Sequence, residues 1–203
     1  MYKARQVFHS NNLIDKINNL DFLLLFSIFF LGIISIFAQY SSSGGTFDYH
    51  AKSHAVRFFV FFFFFLIVSF TKVSFWHQSS FVIYFIFLLL LLLVKYFGIT
   101  SSGSQRWINL YIINLQPSEL MKVGLILFLA KYYHRISAGD VNRIRFLLYP
   151  LFVIIVPFFL VASQPDLGTS ILILSGGVIV VWLAGVRLKF FAYALGLFVA
   201  TTP

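Results

Sequence analysis

Two short stretches place ionisable side chains at the opening of apolar runs: Gln116, Glu119 and Lys122 in LQPSELMKVGLILFLA, and Gln164 and Asp166 in SQPDLGTSILIL. Both share a grammar of Gln, Pro and then a carboxylate within one turn of a helix start. Proline at the first helical position forfeits no hydrogen bond, and a carboxylate in the first turn is favoured by the helix dipole. Capping therefore accounts for each carboxylate taken singly. It does not account for Lys122, one turn deeper and spaced i, i+3 from Glu119, where an ion pair is geometrically possible. A central charge in a membrane costs about 2.5–3.5 kcal/mol on insertion scales, so such residues mark a site. Upstream, SSGSQRWINLYIINLQPSE carries Arg106 and Trp107. Alone, the Trp reads as an interfacial anchor and the Arg as solvated. Together with Gln105, Asn109 and the two carboxylate motifs they form a polar, mixed-charge patch suited to a head group bearing phosphate or sugar. The planar donor fork of arginine favours the phosphate.

The elements that must position these groups follow from composition. The chain has 203 residues, 60% hydrophobic, 20% aromatic and only 10% charged, with a mean hydropathy of +0.93. A soluble domain is about half apolar and about one quarter charged, so the excess here must face lipid. Apolar segments fall at 22–39, 56–70, 79–97, 116–130, 146–162, 167–186 and 190 to the end. Backbone groups in lipid must be satisfied within the segment, and an alternating barrel pattern is absent. The fold class is therefore an all-α polytopic membrane protein, with about six full spans and a shorter seventh. The Phe run 61–65 and the Leu run 88–93 have no polar face and read as lipid-exposed.

The net charge of +9 is mostly topology. Placing the amino terminus in the cytoplasm puts Lys3, Arg5, Lys16, Lys72, Lys131, Arg135, Arg143, Arg145, Arg187 and Lys189 inside. Lys52, Arg57, Lys95 and Arg106 fall on the other side, a clear positive-inside bias. Residues 1–21 then form a cytoplasmic tail and 22–203 a helical bundle, with the loops at 40–55, 98–115 and 163–166 facing outward. Nucleic acid is set aside as a partner, because basic loops in so apolar a chain face the anionic leaflet. Without cysteine there are no disulfides or thiolate sites. His9, His50, His54, His77 and His134 show no metal pattern, no cofactor requirement is visible, and a divalent cation is left open. Glycine-rich phosphate loops and nucleophile elbows are absent.

Three stretches, GSQRWINLYIINLQPSELMK at 103–122, SQPDLGTSILILSGGVIVVWLAG at 163–185 and YSSSGGTFDYHAKSHAVRFF at 40–59, resemble the SEDS family of bacterial cell-wall proteins. The LQPSELMK, QPDLGTS and GGTFD forms tilt the match toward its rod-shape-determining branch over its division branch. The resemblance covers the amino-terminal part of a ten-helix family architecture, and the chain reads as a fragment of it. It implies a peptidoglycan glycosyltransferase of the bacterial inner membrane. That enzyme polymerises lipid II at the outer face during elongation and works with a class B penicillin-binding transpeptidase. The family's principal carboxylate is expected beyond residue 203, so no catalytic residue is assigned within this stretch. The residues that match the family's outward polar cavity are Arg106, Trp107, Gln116, Glu119, Lys122, Gln164 and Asp166.

On that basis Arg106 and Lys122 hold pyrophosphate charge on the leaving group, Glu119 and Asp166 hold those cations and bind sugar or water, and the polyprenyl tails lie against Phe- and Leu-rich helices. A lipid II flippase also fits the intramembrane charges, and a non-catalytic scaffold whose helices only dock and activate the transpeptidase is a further alternative.

Overall fold

The structure is a computed structural model that describes residues 13–18, 20–101, 104–109, 114–137 and 139–201. Lys3, Arg5 and His9 of the expected tail lie outside the described residues. The chain divides into two compact units, Met1–Phe75 and Trp76–Pro203.

The first unit contains α1 (Leu13–Asn18), α2 (Phe22–Ser42) and α3 (Tyr49–Ser69). Asp21 caps α2 by accepting from the Leu24 amide, and Asp48 caps α3 by accepting from the Ala51 amide. The turn between these helices places Gly44 and Gly45 at φ of 71° and 76°, a region open to glycine at no steric cost. The helices touch where Gly32 faces Phe58, since a Cβ at Gly32 would overlap that ring. Ser35 and His54 share a hydrogen bond of 2.9 Å across the pair. Most large apolar side chains of α2 and α3 are exposed, as a lipid-facing surface requires. Lys16 donates to the Phe70 carbonyl at 2.7 Å, satisfying an acceptor at the end of α3.

The second unit follows with α4 (Val73–Phe97, its first turn beginning before the boundary), β1 (Ile99–Ser101), β2 (Ser104–Asn109), β3 (Asn114–Leu115), α5 (Pro117–His134), α6 (Ile144–Ala162), α7 (Leu167–Leu183) and α8 (Leu188–Thr201). Helices α2, α3, α4 and α6 are long and apolar enough to cross a membrane, and α7 is a shorter apolar helix. The protein is a multi-pass helical membrane protein.

Helix starts differ from the apolar runs. Helix α3 begins at Tyr49, seven residues before the apolar run at 56, and α4 at Val73 where the run begins at 79. Hydropathy reports depth in the bilayer, while a capped helix continues into the polar interface. The core of the second unit is built around Phe128, whose ring centroid lies 4.6 Å from those of both Phe81 and Tyr84. Leu91 is fully buried, so the Leu run is partly core and not wholly lipid-facing. A Cβ at Gly177 would lie 2.7 Å from Ile154 Cγ1, which lets α7 approach α6 closely.

Helix α6 carries Pro150 and Pro157 in its interior. Each ring removes the amide that would bond the carbonyl four residues back, at Phe146 and Val153. Both carbonyls find tyrosines from neighbouring helices. Tyr132 of α5 donates to Phe146 O at 3.2 Å, and Tyr84 of α4 donates to Val153 O at 2.8 Å. In lipid, where water cannot serve, this is how prolines are accommodated within a helix.

The stretch 98–115, expected as a loop, contains a small three-stranded antiparallel sheet in the order β1-β2-β3. Ile99 faces Trp107, and Asn109 faces Asn114. Gln105 Nε2 donates to the Gly98 carbonyl at 2.6 Å, tying the sheet to the end of α4.

Candidate functional site

The sheet and the starts of α5 and α7 meet at one end of the second unit. Pro117 occupies the first turn of α5 and Gln116 its cap position, so the proline-started helix places Gln116 at the helix end, where its side chain reaches α7. Asp166 caps α7, its Oδ1 accepting from the Thr169 amide at 3.2 Å. Its Oδ2 accepts from three further donors: Arg106 Nη1 at 3.1 Å, Gln116 Nε2 at 3.2 Å and Thr169 Oγ1 at 3.0 Å. Three sequence-distant elements, β2, α5 and α7, are thus joined at a single carboxylate.

The electrostatics follow from these donors. Burial pushes the Asp166 carboxyl up, but the Thr169 amide and hydroxyl and the Arg106 guanidinium together outweigh it and hold the group below its ordinary 3.8. Asp166 is 8% exposed, while the Arg106 side chain is 28% exposed. The guanidinium is therefore fixed on its carboxylate and still reachable from the surface. Its Nε is buried and unpartnered.

One turn into α5, Lys122 Nζ pairs with Glu119 Oε1 at 2.9 Å, both side chains being partly exposed. Lys122 stands at the edge of a cavity of about 260 Å³ between α5 and α7, lined by Leu125, Ile126, Leu172, Ile173 and Gly176. The cavity is apolar apart from this ammonium and Ser175.

The expected site residues are thus only partly gathered. Arg106, Gln116 and Asp166 converge, and Glu119 with Lys122 forms a neighbouring pair on α5. Trp107 follows Arg106 on β2, where successive side chains point to opposite faces. Gln164 is buried and donates to the Leu91 carbonyl at 3.2 Å, fastening the α6–α7 turn to α4. Thr169 was not among the expected residues, although a hydroxyl three positions after a capping Asp is a recognisable relative of the capping box. Among the described residues no group of three or more His, Asp or Glu side chains gathers that could hold a metal ion.

Residues 18–202 match the cell cycle protein family of FtsW, RodA and SpoVE. The chain belongs to this family. Curated members similar to it include a probable peptidoglycan glycosyltransferase FtsW from Buchnera aphidicola subsp. Baizongia pistaciae, 31% identical over 64% of this chain and 34% of the relative. Another is the peptidoglycan glycosyltransferase MrdB of Escherichia coli K12, 38% identical over 54% of this chain and 29% of the relative. This FtsW/RodA/SpoVE chain therefore spans about a third of the length of those relatives. Among solved structures, a point mutant of the rod shape determining protein RodA from Thermus thermophilus superposes with a TM-score of 0.73 at 25% identity, covering 89% of this chain and 60% of that one. A chain of a peptidoglycan synthase complex that coordinates polymerization and crosslinking shares the fold, with a TM-score of 0.70 at 24% identity over 87% of this chain and 52% of its own.

Proposed function

We propose that this chain forms part of a peptidoglycan glycosyltransferase that polymerises lipid II at the outer face of the bacterial inner membrane during cell elongation. In this reading the amino terminus is cytoplasmic and a class B penicillin-binding transpeptidase is the partner. The observation that carries the reading is the Arg106–Asp166 pair, a surface-reachable guanidinium fixed at 3.1 Å on a carboxylate that joins β2, α5 and α7.

Cleaving a sugar from a lipid pyrophosphate builds negative charge on the departing phosphate oxygen. Donors fixed before the reaction stabilise that charge without reorganising. Arg106 is such a donor, because Asp166 holds one edge of its planar fork. Lys122 supplies a second cation beside an apolar cavity whose walls suit a polyprenyl chain. Asp166 already accepts four hydrogen bonds, so its part is to position Arg106, and the sugar hydroxyls fall to other groups. Glu119 is exposed and acts on Lys122 in the same positioning sense.

The test is polymerisation of purified lipid II in detergent by a full-length protein carrying this sequence, wild type against Asp166→Ala. Polymer from the wild type and none from the variant, with equal protein in the membrane, supports the reading. Lipid II movement across vesicles without polymer would favour transport, and normal polymer from Asp166→Ala would reduce Asp166 to a helix cap.

A further inference from the structure

A second set of polar groups lies around the last turn of α5, apart from the Arg106–Asp166 site. Lys131, His134 and Arg135 are spaced i, i+3, i+4 and share one side of the helix end. Lys131 is 6% exposed, and its Nζ donates to the Gln78 carbonyl at 2.6 Å. The same ammonium stands 4.5 Å from the Phe81 ring centroid, and the Arg135 guanidinium stands 5.5 Å from that ring. His134 meets His77 of α4 edge to face, with ring centroids 5.1 Å apart. His77 Nε2 is buried without a hydrogen-bond partner.

The helix dipole explains why cations gather at this end. It does not explain why, among the described residues, none of the acidic side chains of this unit joins them. The acidic residues of the second unit are Glu119, Asp140 and Asp166. Glu119 pairs with Lys122 and Asp166 with Arg106 near the opposite end of α5, while Asp140 pairs with Arg143 and accepts from Ser137. The exposed His134 and Arg135, backed by the buried Lys131 ammonium and the Phe81 ring and with none of these carboxylates beside them, make a receptor for an anion. Running from Gln78 along the same side of α4, Val82, Phe85 and Leu89 are each more than half exposed, at 61%, 57% and 56%. They form an apolar track leading away from the cations, as acyl chains below a head group require.

We infer that the exposed His134 and Arg135, backed by the buried Lys131 ammonium, bind the phosphate of an anionic glycerophospholipid in the leaflet at this end of the bundle. Arg135 offers its donor fork and His134 a ring N–H, while the Lys131 ammonium adds positive charge from behind them. The acyl chains follow the α4 track.

Native mass spectrometry of the detergent-purified chain titrated with phosphatidylglycerol tests this. His134→Gln/Arg135→Gln removes two exposed groups and leaves the core intact, and Arg135→Gln alone serves as a milder variant. Arg135→Gln alone is expected to bind phosphatidylglycerol about tenfold more weakly, the weight of one lost charge-assisted hydrogen bond, and the double variant more weakly still. Phosphatidylcholine, whose choline cancels the phosphate charge, is expected to bind the wild type more weakly and to lose less on either substitution, and excess inorganic phosphate is expected to leave the bound phosphatidylglycerol in place. Undiminished phosphatidylglycerol binding in both variants would overturn the site. Displacement by inorganic phosphate would overturn the lipid as its occupant.

Discussion

The Tyr84 hydroxyl donates at 2.8 Å to the carbonyl of Val153, the acceptor that Pro157 leaves without its helical partner. Tyr132 and Phe146 repeat the relation at Pro150. The interior prolines of α6 are thereby compensated by α4 and α5, which binds three helices of the second unit through hydrogen bonds that lipid cannot replace.

Tyr84→Phe leaves the Val153 carbonyl unsatisfied and is expected to cost about 1–2 kcal/mol of stability. In a Pro157→Ala background the helix supplies its own donor, so the same substitution should cost much less. A double-mutant cycle read by thermal unfolding in detergent checks this. Equal costs in the two backgrounds would refute the compensation.

Gly177→Val probes the close approach of α7 to α6. The added Cβ would meet Ile154 Cγ1 at 2.7 Å and Cδ1 at 2.9 Å, so the helices must separate. Overpacking of this kind costs about 1–3 kcal/mol. Gly176, whose Cβ position is open, is the control: Gly176→Ala is expected to be neutral or slightly stabilising through helix propensity. Unfolding temperatures of the two variants decide the matter.

How far the sequence revealed this depended on how local each feature is. Pro117 and Asp166 announced helix starts because capping is written within one turn, and both helices begin where the motifs place them. The role of Gln164 was not legible, since its partner is a carbonyl of α4, at Leu91, far away in the chain. Lys131 read as one of many topology-setting cations. Its burial follows from docking against Gln78 and Phe81, which no local pattern encodes. The sheet at 99–115 was missed for a similar reason, its strands being short and defined by pairing across turns. Pro150 and Pro157 were visible in the sequence, but the tyrosines that answer them became visible only with the packing.

Stability should depend on Asp166 protonation in a defined direction. Its folded carboxyl titrates below 3.8 because the Thr169 and Arg106 donors outweigh burial. A carboxylate held lower in the folded state stabilises fully above its ordinary value, and that contribution is lost as pH falls through the folded value. The unfolding temperature should therefore decline below pH 3.8 less steeply in Asp166→Asn than in the wild type. Identical slopes would mean that Asp166 is not held as an anion.

In the proposed function Asp166 acts by fixing Arg106 as a donor to lipid-linked phosphate. The most direct measurement is lipid II polymerisation by a full-length protein carrying this sequence, comparing wild type, Arg106→Ala, Arg106→Lys and Asp166→Asn at matched membrane levels. This positioning role predicts a loss of about tenfold or more in kcat for Arg106→Ala and Asp166→Asn. It also predicts incomplete rescue by Arg106→Lys, whose ammonium restores the charge without the fork. Wild-type kcat in both Arg106→Ala and Asp166→Asn would contradict it.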